Sequence, residues 1–290
     1  MAFLSHLIYG LQLGAIYALV ALGYSMVYGI IRLINFAHGD IIMVASFVVW
    51  YLIARLNVPV WLSILICVAF TSLLGVAIEK LAYKPLRHSA RISLLITAIG
   101  ISFFLQNAAQ LIFGADPVMF ENLLPGNLSL GALTVSRVSV IIICVSIVLM
   151  IALVLLVNKT RMGRAMRAVS EDESTAALMG INVNTTISFA FALGSALAAV
   201  AAILYSCAYT QISPTMGGML GLKAFVAAVL GGIGSIPGAM LGGILIGICE
   251  TLTKAYISSS FADAIVFGIL IVVLIIRPSG LLGVKTKEKV

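Results

Sequence analysis

The chain has 290 residues, of which 62% are apolar and only 9% charged, against about 25% charged in ordinary soluble domains. That balance excludes a water-soluble catalytic domain, and the net charge of +7 does not mark a nucleic-acid surface, because the basic residues gather beside apolar runs where the positive-inside bias puts them. The runs themselves are roughly 17–25 residues long, enough to cross a ~30 Å hydrocarbon layer as helices, and they are apolar on both parities, unlike the alternating segments of about ten residues that build an outer-membrane barrel.

In chain order the apolar segments fall at 7–28, 41–56, 60–81, 92–113, 138–157, 185–208, a short 220–230, 236–252 and 262–276. They predict an all-α, polytopic membrane protein with eight to ten crossing or half-crossing helices, a single transmembrane domain over 1–290. The opening MAFLSHLIYG has no Lys or Arg ahead of its apolar stretch and no small-residue cleavage site, so the first span is expected to remain.

Three stretches are basic: Lys80, Lys84, Arg87 and Arg91; Lys159, Arg161, Arg164 and Arg167; and the tail 277–290 with Arg277, Lys285, Lys287 and Lys289. Two spans separate the first from the second, so both lie on the cytoplasmic side. The connection 114–137, with Asp116, Glu121 and the polar PGNLSLG, then faces outward, and the tail inward. The N-terminus stays open: Arg32 argues that the first span ends inside, whereas a break within the membrane at 35–40 would change the parity.

An internal repeat is visible when LGAIYALVALGYS (13–25) is set beside LGSALAAVAAILYS (193–206) with one gap. A polar, Gly-containing interruption follows each, NFAHGD at 35–40 and SPTMGGM at 213–219. Corresponding broken segments in two halves point to a transport pathway near the bilayer midplane, with Asn35, His38, Asp40, Ser213 and Thr215 as the candidates to line it. Charges inside spans are costly unless paired or facing a cavity. Of these, Lys223 opens the short segment, and Glu250 stands one turn before Lys254, an i,i+4 spacing that neutralises both. Glu79 with Lys80 and Lys84 reads as interfacial. GGIGSIPG at 231–238 reads as backbone freed from helical pairing, tolerated in lipid only where protein or water satisfies it, and Gly238, Gly242, Gly243 and Gly247 supply small-x-x-x-small packing. Cys67, Cys144, Cys207 and Cys249 are scattered singly, and His6, His38 and His88 are far apart, so no metal or redox set is expected.

The one long charged segment is KTRMGRAMRAVSEDESTAALMGIN, 159–182. Ser170 ahead of Glu171, Asp172 and Glu173 predicts an N-cap with Glu173 at the reach-back position of a capping box, and Gly180 closes the helix as a left-handed C-cap, with Asn182 starting the next turn. A helix of about nine residues is too short to hold itself in water. Ala176 and Ala177 would let another surface approach closely, and Arg161, Arg164 and Arg167 share one helical face. The segment is either a docking element or a solvated positive-inside loop.

RAMRAVSEDESTAALMGIN, GLQLGAIYALVALGYSMVYGIIRLINFAHGD, GLKAFVAAVLGGIGSIPGAMLGG and the closing IIRPSGLLG together resemble, in order and over nearly the whole chain, permease subunits of branched-chain amino-acid ABC importers of the LivH type. The resemblance implies that, within the cytoplasmic coupling loop 159–184, the segment 161–182 inserts into a cleft of an ATPase subunit, with Arg161, Arg164, Arg167, Glu171, Asp172, Ala176, Ala177 and Gly180 matching the coupling motif. It also implies a second permease subunit (the same chain or a relative), two ATPase subunits that bind the ATP and Mg, an extracytoplasmic substrate-binding protein, and a bacterial inner membrane. The chain itself has no G-x-x-x-x-G-K-[ST] phosphate loop, so no cofactor and no enzymatic reaction are expected of it. A urea or short-amide importer of the same branch is the nearest alternative, and an ion-coupled secondary transporter, which needs carboxylates in both interruptions, is a more distant one.

Overall fold

The computed structural model describes residues 2–32, 34–87, 89–121, 123–130 and 133–283, so the expectations resting on His88, Lys285, Lys287 and Lys289 fall outside it. The chain is helical almost throughout: α1 (Ala2–Ile31), α2 (His38–Ala54), α3 (Val60–Ile78), a π-turn at Glu79–Tyr83, α4 (Lys84–Leu86), α5 (Arg91–Phe113), α6 (Arg137–Lys159), α7 (Arg161–Glu171), α8 (Glu173–Leu178), α9 (Val183–Ala208), α10 (Met216–Gly231), α11 (Ile236–Tyr256) and α12 (Ala262–Ile276). Among the described residues, seven helices are long and apolar enough to cross a membrane and two shorter apolar ones, α2 and α10, accompany them. That makes a multi-pass, all-α membrane protein with nine crossing or half-crossing segments. The connection 114–137 adds two small antiparallel pairings that its polar sequence did not announce, β1 (Val118–Met119) with β4 (Gln211–Ile212) and β2 (Asn127–Leu130) with β3 (Leu133–Ser136).

The two ends of the bundle are distinguishable by charge. Arg32, just past α1, donates to the carbonyl of Ser170 at 3.4 Å, which sets the end of α1 beside α7 and the basic stretches. At the opposite end Trp50 near the close of α2 donates to the Met119 carbonyl at 3.1 Å. α1 therefore runs toward the basic end and α9 away from it.

The two repeats are consequently inverted, and both breaks are real. His38 packs against Gly23 so tightly that a Cβ there would lie 2.7 Å from the imidazole Cε1; Gly23 stands eight residues before the close of α1, about 12 Å at ~1.5 Å per residue. The chain thus re-enters before α2 begins. α10 starts at the same depth: a Cβ on Gly217 would meet the Gly39 carbonyl oxygen at 2.6 Å and a Cβ on Gly221 the Gly39 Cα at 2.8 Å. From that crossing α2 runs to the end opposite the basic stretches and α10 toward them, where Gly234, in the turn that follows α10, lies near Gly29. The apolar segment at 41–56 is accordingly a half-helix rather than a full span, and Lys223 lies mid-helix instead of opening α10.

Small residues let the core helices touch backbone to backbone, the main source of cohesion where lipid removes the hydrophobic drive. α11 presents Gly238 and Gly242 to α10, meeting Gly231 and Ala227, and Gly243 and Gly247 to α1, meeting Ala18 and Gly14. The turn between α10 and α11 has Gly232 at φ 109° and Gly234 at φ 88°, and Ser235 caps α11 by accepting from the Gly238 amide at 3.2 Å. The freed carbonyls of Leu230 and Gly231 accept from the amides of Leu281 and Leu282, both at 2.8 Å. GGIGSIPG and the closing RPSGLLG are thus two parts of one structure, which answers the requirement that broken backbone in a membrane be satisfied by protein.

Candidate functional site

At the basic end the charged segment folds as two helices. α7 opens on Thr160, whose hydroxyl accepts from the Gly163 amide at 3.0 Å. It buries Gly163, Met166 and Val169 against the bundle while Arg161, Arg164 and Arg167 face solvent. That apolar stripe carries α7 through to Glu171, and the N-cap of the next helix is therefore Asp172 rather than Ser170. Ser170 lies inside α7, its hydroxyl donating to the Arg167 carbonyl at 2.7 Å. Asp172 Oδ1 accepts from the Thr175 amide at 2.5 Å and the Ser174 hydroxyl at 2.7 Å. These hydrogen bonds, the Ser174 hydroxyl first, hold its carboxyl down to about 2.

α8 is a six-residue helix, shorter than the nine its sequence suggested. It ends in a Schellman arrangement: the Ile181 amide donates to Ala176 O and the Gly180 amide to Ala177 O, both at 3.0 Å, with Gly180 at φ 83°. Asn182 then caps α9 by accepting from the Thr185 amide at 3.1 Å. Ala176 is buried and Ala177 exposed. Beyond them Leu178 is 87% and Met179 79% exposed, an apolar tip at the outermost point of a charged segment. No charge or motif singled those two out in the sequence.

Arg87 locks this lever to the bundle. Its guanidinium donates to Glu79 Oε1 at 2.9 Å and to Asn184 Oδ1 at 3.1 Å, and lies 3.5 Å from Glu173 Oε1. Glu79 is fully buried and accepts also from the Ser188 hydroxyl at 2.7 Å, so it is an anchored ion pair and not an interfacial charge. Glu79 begins the π-turn, and Tyr83 ends it, donating to Asn35 Oδ1 at 2.9 Å. A continuous chain of contacts therefore joins α8 to the break before α2, across residues no local spacing connects. π-turns recur at functional sites.

Around the crossing of the half-helices, the five sequence-predicted pathway residues take separate places. Asn35 accepts from Tyr83 and from the Ala37 amide. His38 stacks edge-on against Tyr24, ring centroids 4.8 Å apart. Asp40, in the first turn of α2 and against Gly217 at the head of α10, accepts from the Ser102 hydroxyl at 2.5 Å and from Gln106 Nε2 at 2.9 Å; its charge sits where the positive ends of two helices meet. Ser213 and Thr215 hydrogen bond to each other at 3.0 Å in the turn that leads into α10. The structure brings Asp40 to α10 but holds Asn35 and His38 against tyrosines of other elements.

The family described as branched-chain amino acid transport system, permease component, matches residues 6–274. The chain belongs to that family. Among permeases similar to it are the high-affinity branched-chain amino acid transport system permease protein BraD of Pseudomonas aeruginosa, 44% identical with 99% of this chain and 98% of the relative matched, and LivH of Escherichia coli K12, 43% identical over the same shares. The solved PsaBC from Streptococcus pneumoniae in complex with Fab is 12% identical with a TM-score of 0.51, covering 96% of this chain and 93% of that one, a likeness of fold alone. The permease also carries an ionic cluster richer than its sequence indicated. The expected Glu250–Lys254 pair is present at 2.6 Å, but Glu250 Oε1 also meets Lys223 Nζ at 2.7 Å, Lys223 meets Asp263 at 2.6 Å, and the Tyr17 hydroxyl donates to Glu250 Oε2 at 2.8 Å. Those extra partners lie on three other helices, so no spacing in one segment could have announced them.

Proposed function

We propose that this permease is a transmembrane subunit of an ATP-binding cassette importer of the bacterial inner membrane, moving branched-chain amino acids by alternating access. The observation that carries the proposal is the 44% identity to BraD along 99% of the chain. A second permease subunit, two ATPase subunits holding ATP and Mg, and an extracytoplasmic binding protein complete the machine. The basic end is cytoplasmic by its charge, and α8 is the element an ATPase would grip. Seating Leu178 and Met179 in a partner's cleft would supply about 1.5–3 kcal/mol each, and Arg161, Arg164, Arg167, Glu171 and Asp172 would set its register. Arg87 and the π-turn then carry a shift of α8 toward Asn35, so that the half-helix crossing with His38, Asp40, Ser213 and Thr215 moves with the ATPase.

The test is affinity purification from mild detergent, identification of the copurifying chains, and reconstitution of the whole complex in vesicles. ATP-dependent leucine uptake is expected, and Glu171→Lys or Asp172→Lys should abolish stimulation of the partner ATPase while leaving membrane insertion intact. Uptake that runs on an ion gradient with no ATPase subunit present would overturn the reading.

A further inference from the structure

Two adjoining cavities lie at the end of the bundle opposite the basic stretches, and their walls share Leu13, Tyr209 and Lys254. The outer one, of about 380 Å³, has a polar lining that includes Gln12, Ser139 and Thr251. The inner one, of about 180 Å³, has roughly the room of six liquid waters, which suits one small aliphatic amino acid and is below the ~300–1,000 Å³ of sites for drug-sized ligands.

The inner cavity combines three chemistries. It is lined by the charged Lys223, Glu250 and Lys254, by Tyr205 and Tyr209, whose ring centroids are 4.7 Å apart, and by the apolar Leu13, Met216 and Leu220. Buried charges are expensive, and a hydrophobic replacement of an ion-pair cluster is often no less stable, so a cluster retained within a membrane span points to a ligand path. Its bonds are unequally used. Glu250 accepts from Lys223, Lys254 and Tyr17, and Lys223 is held between Glu250 and Asp263. Lys254 has three donors and, among the described residues, one such partner, Glu250, and its side chain is 41% exposed.

Resting on the importer reading, we infer that these cavities receive the substrate as a zwitterion. Lys254 takes the α-carboxylate through its remaining donors, the paired tyrosine faces take the α-ammonium, and Leu13, Met216 and Leu220 take the branched side chain. The first turn of α10 supplies Met216 and Met219 to the cavity.

The experiment uses the intact complex in vesicles, with radiolabelled L-leucine delivered by its binding protein on the outside. Lys254→Met should reduce uptake roughly tenfold or more, the loss expected for a charged partner of a carboxylate, while stimulated ATP hydrolysis persists, and Lys254→Arg should restore most of it. Met219→Trp, a change at a half-exposed position that leaves every ion pair in place, should fill the inner cavity and reduce uptake likewise; it decides the matter if Lys254→Met fails to assemble. Uptake within about twofold of wild type in both variants overturns the site and leaves the importer reading standing. Wild-type vesicles that take up no leucine refute the importer reading, and the site with it.

Discussion

Removing the Arg87 side chain while leaving Glu79 in place is the most demanding test of how the lever is anchored. Glu79 is 0% exposed, and Arg87→Ala leaves its carboxylate with the Ser188 hydroxyl as the one remaining partner among those described. Breaking a buried pair from one side costs about 3–5 kcal/mol. The contact of Arg87 with Glu173 belongs to a different class, at 3.5 Å with the glutamate side chain 45% exposed, so Glu173→Gln should cost less than about 1 kcal/mol. The double variant Glu79→Leu/Arg87→Met removes both buried charges together and should return to within about 1 kcal/mol of wild type. Denaturant titration of the purified permease in detergent, across all four proteins, gives the numbers. An Arg87→Ala cost under about 1 kcal/mol, or a double variant worse than the single one, would refute the assignment of a buried pair.

Three further outcomes follow from particular positions. Gly180→Ala meets no neighbouring atom and pays only for φ 83°, about 1 kcal/mol; Gly180→Asn should be milder, with hydrogen exchange across 173–181 as the measurement. Asp172 has its folded carboxyl held down to about 2, below the ordinary carboxylate value, so its support for α8 is complete above about pH 4 and fades as pH falls toward 2; a spin label at Ala177 should keep its mobility down to pH 4 and loosen below it, and Asp172→Asn should abolish that step. Gly247→Val places a side chain into the backbone of Gly14 and the carbonyl of Gly10, contacts with no rotamer to yield, and should cost at least about 1–3 kcal/mol, read as lost monodispersity in detergent.

Much of this architecture is legible in the sequence because the membrane makes apolar length decisive: the segments expected at 92–113 and 262–276 coincide with α5 and α12 to within a residue. The internal repeat is legible too, each copy carrying its own polar break, whereas its inversion shows only in the structure. Capping was harder. Ser170 is the right residue type for an N-cap, but so is Asp172, and the structure's choice follows from Met166 and Val169, whose burial keeps α7 helical past Ser170. Side-chain partnerships over long separations were not readable at all. Glu79 and Arg87 are eight residues apart and meet across a π-turn and α4, and Lys223 finds Glu250 and Asp263 on other helices. Leu178 and Met179 look like ordinary apolar residues until their exposure is seen.

The stitching of Leu281 and Leu282 onto Leu230 and Gly231 orders events during synthesis. A chain emerging from its N-terminus makes α10 some fifty residues before the segment that closes it, so the half-helix must wait, its last carbonyls unanswered, until residues 281–282 have been made. A truncation that stops short of Gly280 would therefore leave the protein permanently at that unfinished stage, although α12 had already been made.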